Sequence, residues 1–258
     1  MSALVVYAVT AGAAIRTSLM DRTNFILNSV GMVVNDVFFL VLWYMFFAGF
    51  REVGGWGLKD VALLLGLTMT VVATSGIFFG GYRDMAATIL RGEVDALLTQ
   101  PRSVLARLLA RESIANAWGD LVMGIWLLIV FAGLGWRDIP LVVLGAAVGT
   151  TVYVASAVVY ASMAFWFAGA RSFARDLTDF MLLFSSYPGS IYTGMSKVVA
   201  YTLLPAGFVV LTPVAMLRDP SWQTLAILVG SAVGYAALAA ASFNLGLRRY
   251  RQGLVSAG

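Results

Sequence analysis

Cysteine and histidine are both absent from the 258 residues. Their absence excludes disulfides, the usual zinc sites, haem ligation through histidine and nucleophilic triads that need an imidazole base. Charge is scarce, at 12% of the residues, and proline occurs six times. The motif GxxxxGK[ST] is missing, so the chain has no phosphate cradle of its own and no expected ATPase site. The sequence is rich in apolar residues instead, at 60%, against roughly 45–50% in soluble domains. A membrane-crossing helix takes about 20 such residues, and this chain has enough for about six. An ordinary soluble enzyme, a disordered chain and a disulfide scaffold are thereby excluded.

The apolar residues gather into runs over 25–50, 61–80, 114–134, 141–167, 177–217 and 222–247. Backbone in hydrocarbon must pair with itself, so runs of this length are expected to be helices. They lack the alternation of barrel strands and are about twice as long. The expected fold is all-α and integral to the membrane, a single domain over 1–258 with six spans.

The formal charge of +4 could suggest nucleic acid. Its distribution argues otherwise, because the basic residues flank the apolar runs. With a cytoplasmic N-terminus, Arg16, Arg22, Arg83, Arg91, Arg102, Arg107, Arg111, Arg171, Arg175, Arg248, Arg249 and Arg251 fall inside. Arg51, Lys59, Arg137, Lys197 and Arg218 fall outside. This twelve-to-five bias predicts both termini in the cytoplasm of a multi-pass inner-membrane protein. No nucleic-acid partner is expected. Trp56, Trp136, Trp222 and Tyr250 near span ends read as interfacial anchors.

The first residues carry no basic n-region, so a cleavable signal peptide is not expected. Leu4, Ala8, Ala11, Ile15 and Leu19 instead recur at helical spacing, which predicts an interfacial helix over 1–22. The run 177–217 holds Pro188, Pro205 and Pro213, half of the prolines. Two full spans there would put the basic C-terminal flank outside. The expectation is one span over about 177–190, followed by half-helices over 198–204 and 206–216 that dip in from the outer face, a re-entrant region spanning 198–216. Such backbone is tolerated only when buried in protein or lining a wet cavity. The three prolines are therefore candidate pathway or interface residues.

Residues 81–111 form the most informative polar segment. Met85, Ile89, Leu90, Val94, Leu97 and Leu98 make an apolar stripe, and Arg83, Asp84, Arg91, Glu93 and Asp95 face the other way. Gly92 interrupts the pattern and predicts a hinge or a close approach. Within the spans, Asn35 and Asp36 lie near the centre of the first. An ionised carboxylate there costs about 2.5–3.5 kcal/mol on insertion scales, so Asp36 must face protein or water. It is read either as a pathway group or as a satisfied structural acid. Asp120, nearer its span's inner end, is expected to pair with a flanking arginine. Asp176 and Asp179 lie beside Arg171 and Arg175. GxxxG pairs at Gly76/Gly80, Gly145/Gly149 and Gly230/Gly234 permit close helix packing.

Three features together resemble the membrane subunit of ABC-2 type exporters. They are the helix after span two ending in Gly92, Asp95, Leu97, Leu98 and Pro101, the proline-broken outer region before the last span, and six spans behind an N-terminal amphipathic helix. The resemblance covers essentially the whole chain and is greatest to the subgroup that often pairs two different permease chains. It implies a permease subunit that moves an amphipathic, lipid-like, glycan or drug-like cargo outward. Power would come from a separate ABC ATPase dimer, which holds the ATP and magnesium; this chain itself would carry no cofactor and no catalytic or metal site. The segment 81–111 would be the coupling helix, with Arg91, Glu93, Asp95 and Arg102 as ATPase contacts. A second permease chain, identical or paralogous, would complete the pathway. Two alternatives stay open, a membrane lipid-modifying enzyme and a secondary transporter. The first wants clustered acids or histidines, and no DxxDxxxD occurs. The second wants an inverted repeat or several intramembrane ionisable groups.

Overall fold

A computed structural model describes residues 3–50, 52, 54–99 and 103–256. Among these, every regular element is a helix. Helix α1 (Ala3–Met20) is divided from α2 (Arg22–Gly49) by Asp21 alone. The Asp21 carboxylate accepts from the Asn24 amide at 3.0 Å and so caps α2. Helix α3 (Leu58–Phe79) begins where Asp60 accepts from the Gly57 amide at 3.0 Å. It continues through a tight turn, Gly80–Tyr82, toward α4 (Met85–Leu90). Short helices α5 (Asp95–Leu98) and α6 (Val104–Ala110) follow. Helix α7 (Ala117–Trp126) is prolonged by a wide turn, Leu127–Phe131. Then come α8 (Ile139–Ser162), α9 (Ala170–Ser185), α10 (Gly194–Tyr201), α11 (Thr212–Arg218) and α12 (Trp222–Ser256).

Helices α3 and α8 are the buried centre, and their Leu64, Leu67, Val71, Val152 and Val158 side chains are almost fully enclosed. Helix α7 packs on α3 and carries α2, while α12 packs on α8. Both α2 and α12 leave most of their apolar surface uncovered, including Val37, Phe38 and Val41 on α2 and Val229, Val233 and Leu238 on α12. In water such surface would be a liability, whereas inside a membrane, against lipid or another helix, it is the expected exterior.

Among the described residues, four helices are long and apolar enough to cross a membrane: Arg22–Gly49, Leu58–Leu90, Ile139–Phe165 and Trp222–Gln252. The expected span over 114–134 is a shorter apolar helix, Ala117–Phe131. It ends near Gly133, whose φ is +73°. The expected span over 177–190 differs more. Its helix starts earlier, at Ala170, and stops at Ser185, so Arg171, Arg175, Asp176 and Asp179 belong to it. This helix is amphipathic along its first half rather than uniformly apolar.

The N-terminal helix also turns a different face to the protein. Ala11 is buried, and Tyr7, Thr10, Ala14 and Ile15 are half-buried, whereas Ala8 and Leu19 of the expected stripe are exposed. The Leu4 side chain lies outside the described residues. The physical reason is Tyr7, whose hydroxyl donates to the Phe78 carbonyl at 2.6 Å while its ring lies 5.5 Å from that of Phe79. That carbonyl is at the end of α3, where helical partners run out. The bond fixes the rotation of α1, which then lies along α6.

Candidate functional site

Two polar regions on this apolar frame hold the charged candidate residues of the sequence. The first is the segment after α3. The expected apolar stripe is present but points inward. Met85, Ile89 and Val94 are buried among α8, α9 and the turn Met163–Phe165, and Leu97 and Leu98 are half-buried. Leu90 alone of the stripe is exposed. The stripe therefore does not offer a docking face; it anchors the segment to its own chain. The helix breaks at Gly92, which has φ +74°, a conformation that L side chains rarely adopt.

Outward the segment presents charge. Arg91, Glu93 and Asp95 are all exposed. Arg91 Nε donates to Glu93 Oε1 at 2.5 Å, and Arg111 stands 3.6 Å from the other oxygen. The hydrogen bond from Arg91 holds the Glu93 carboxyl below its ordinary range, so the pair stays ionised. Arg107 donates to the Leu97 carbonyl and ties α6 to α5. From α12, the Tyr250 ring stacks edge-on against Phe165, with centroids 5.9 Å apart, and interacts with Asp95. Tyr250 is thus a strut between the C-terminal helix and the charged segment, a role beyond the anchor expected of it. Arg102, with Gln100 and Pro101, lies outside the described residues.

The proline-broken outer region holds α10 and the wide turn Gly207–Leu211 leading into α11. Pro188, Pro205 and Pro213 are all buried within the chain's own packing. Pro213 lies under Gly145, and the Val209 carbonyl fills the place where a side chain at Gly149 would sit. The GxxxG pair of α8 thus receives this region. The prolines shape that cap and do not line the polar cavity described next. Carbonyls freed at the broken helix ends find side-chain donors. Thr68 donates to Ser185 at 3.0 Å, Tyr192 to Phe184 at 2.7 Å and Tyr235 to Thr202 at 3.0 Å, while Tyr160 donates to Leu203. Irregular backbone is stable here because α3, α8 and α12 supply three of those donors and Tyr192, within the region itself, the fourth.

The second polar region is a cavity of about 470 Å³ between α2, α3, α7 and α9. Asn35, Asp36, Arg83, Asn116 and Asp120 line it, with Met32, Phe38, Phe39, Leu65 and Met69 as apolar walls. The arrangement follows from the α2–α7 crossing. Ser29 Oγ donates to the Ala115 carbonyl at 3.0 Å, and a side chain at Gly119 would strike the Ser29 carbonyl and Met32. The two helices run parallel in this register, so Asp36 comes opposite Asp120, two turns beyond Ser29. Both acids are buried. Asp36 Oδ2 has no hydrogen-bond partner. Asp120 was expected to pair with a flanking arginine. It faces Asp36 and feels the charge of Arg83 across the cavity, but no ion pair within 4.0 Å joins it to an arginine among the described residues. Asp176 and Asp179 make no such pair either. The signal for the acid pair was the small-residue run Ala115, Gly119 opposite Ser29, which marks a close crossing once the register is known.

A family model described as ABC-2 family transporter protein matches residues 33–253. No curated protein matches the chain at a significant level. No solved structure does so either.

Proposed function

Because the chain belongs to the ABC-2 family of transporter proteins, we propose that it is the permease subunit of an ABC exporter, driven by a separate ATPase dimer that binds ATP and magnesium. The cytoplasmic segment of α4 and α5 docks on that ATPase through Arg91, Glu93, Asp95 and Arg102. A second permease chain completes the pathway, both termini lie in the cytoplasm, and an amphipathic cargo moves outward along the seam.

The observation that carries this reading is the inverted packing of the segment. Its apolar residues Met85, Ile89 and Val94 are locked into the core formed with α8 and α9, while its charged side chains stay exposed at the surface. A push on Arg91, Glu93 and Asp95 is then passed to the long helices without loss in a floppy loop. Charged rims of this kind set register and partner choice.

Purification from mild detergent, with the associated chains identified, tests the assembly. The expected companions are an ABC ATPase and a second permease chain. The double variant Glu93→Lys/Asp95→Lys should insert normally yet lose the ATPase or uncouple its turnover from transport. Unchanged association and transport in that variant would count against the docking role.

A further inference from the structure

One face of α8 is taken by the proline-broken cap, which covers Gly145 and Gly149. Another face, made by Val143, Ala147 and Thr151 one helical turn apart, is exposed. It lines a groove of about 820 Å³, whose other wall is Ile125 and Ile129 and which Thr70 and Thr74 of α3 also line. No charged residue lines it. Its threonine hydroxyls are already engaged. Thr70 donates to the Gly66 carbonyl at 2.7 Å, Thr151 donates to the Ala147 carbonyl at 2.8 Å, and the Thr74 and Thr150 hydroxyls stand 2.6 Å apart. The lining therefore asks for nothing polar in an occupant.

The dimensions of the groove decide what fits. Along α8 its lining runs from Ile139 to Thr151, about 18 Å at roughly 1.5 Å per residue. A helix crossing the bilayer needs a track of about 30 Å, whereas one leaflet of the hydrocarbon is about 15 Å deep. Spread over that length, the volume gives a mean cross-section of about 45 Å². A helix with its side chains, about 10–12 Å in diameter, takes roughly twice that area. Hydrocarbon chains, whose non-bonded carbons meet at about 4 Å, fit there as a side-by-side pair.

The two ends differ in polarity. At one end Trp136 lines the groove and is 76% exposed, and the Arg137 guanidinium lies 5.3 Å from its ring centroid. Tryptophan belongs at the headgroup level, and an arginine beside it suits a phosphate. Asp138 accepts from the Gly135 amide at 2.8 Å and makes no ion pair with Arg137 within 4.0 Å. At the other end stand Phe78 and Phe79, both held to Tyr7 of α1. The groove thus specifies an occupant one leaflet deep, with an apolar body and a polar head at Trp136. We propose that it seats the two acyl chains of one phospholipid, whose phosphate meets Arg137. This site goes beyond the permease reading and depends only on the chain lying in a membrane.

The test uses the full chain, reconstituted with palmitoyl-oleoyl phosphatidylglycerol or with its single-chain lyso form and then released into mild detergent. Native mass spectrometry counts the lipid retained. The unaltered protein should keep one diacyl lipid per chain, at least tenfold more often than the lyso form. Ala147→Trp and Thr151→Trp put an indole into the groove from exposed positions, and each should cut retention at least tenfold. Val233→Trp, on the exposed face of α12, should leave it unchanged. No lipid retained by the unaltered protein would overturn the proposal, whether or not the variants fold. So would equal retention of the lyso form, or retention in Ala147→Trp that matches Val233→Trp. Retention of a second protein chain that Ala147→Trp displaces would overturn it too, because a helix would then fill the groove. Failure here leaves ATPase docking untouched, and a failed co-purification with an ATPase leaves this site untouched.

Discussion

Gly119 shows how one residue sets the chemistry of the cavity. Its missing side chain lets α7 press against the Ser29 carbonyl and Met32 of α2, and backbone cannot step aside as a side-chain tip can. Only that approach brings Asp36 opposite Asp120. Replacing Gly119 with leucine should separate α2 from α7 and cost about 1–3 kcal/mol, the usual penalty for overpacking a tight contact. Thermal unfolding in detergent measures the loss, and an unshifted midpoint would mean that the crossing tolerates a wider gap. The sequence alone marked Asp36, because an acid at mid-span cannot face lipid. It did not mark the pairing with Asp120, since that depends on the register of two helices whose acids stand 84 positions apart in the chain. Burial of an acid is local information; its neighbour is not.

At the scale of elements, hydrophobic run length was legible, and the identity of each helix's neighbour was not. Helices α2, α3, α8 and α12 stand where long apolar runs require them, because uninterrupted apolarity is what lipid demands. Periodicity in α1 and in α4–α5 gave a face but not its partner. In α1 a single Tyr7 hydrogen bond rotates that face, and in α4–α5 the stripe turns to the chain's own core. Short helices α10 and α11 lie in the proline-rich region, where proline forbids one regular helix. The hinge at Gly92 has a further consequence. Its left-handed backbone joins α4 to α5 and swings Glu93 toward Arg91 and Arg111. Gly92→Val should destabilise this joint by about 1–2 kcal/mol, the cost of a left-handed L residue. Limited proteolysis should then cut between α4 and α5 faster than in the unaltered protein. Equal cleavage rates would show that the joint is not held by its backbone conformation.

For the whole molecule, the two uncovered flanks are not equivalent. The central pair of α3 and α8 carries α2 through α7 on one side and α12 directly on the other. The polar cavity is lined by α2 and opens beside Phe38, whereas the shallow recess on α12 is lined by Phe208, Ile227, Gly230, Ser231, Gly234, Tyr235 and Leu238, without a charged group. A transport route between two permease chains has to adjoin polar groups that water or cargo can reach, and lipid wants none. The α2 flank is therefore expected to meet the second chain, and the α12 flank to meet lipid. A photo-reactive phenylalanine analogue tests this at Phe38 and at Leu238, both exposed large side chains. Irradiation of membranes should join Phe38 to a second permease chain, and Leu238 to lipid alone. Capture of that chain from Leu238 and none from Phe38 would place the seam on the opposite side, and would leave the Asp36–Asp120 cavity facing lipid rather than a shared pathway.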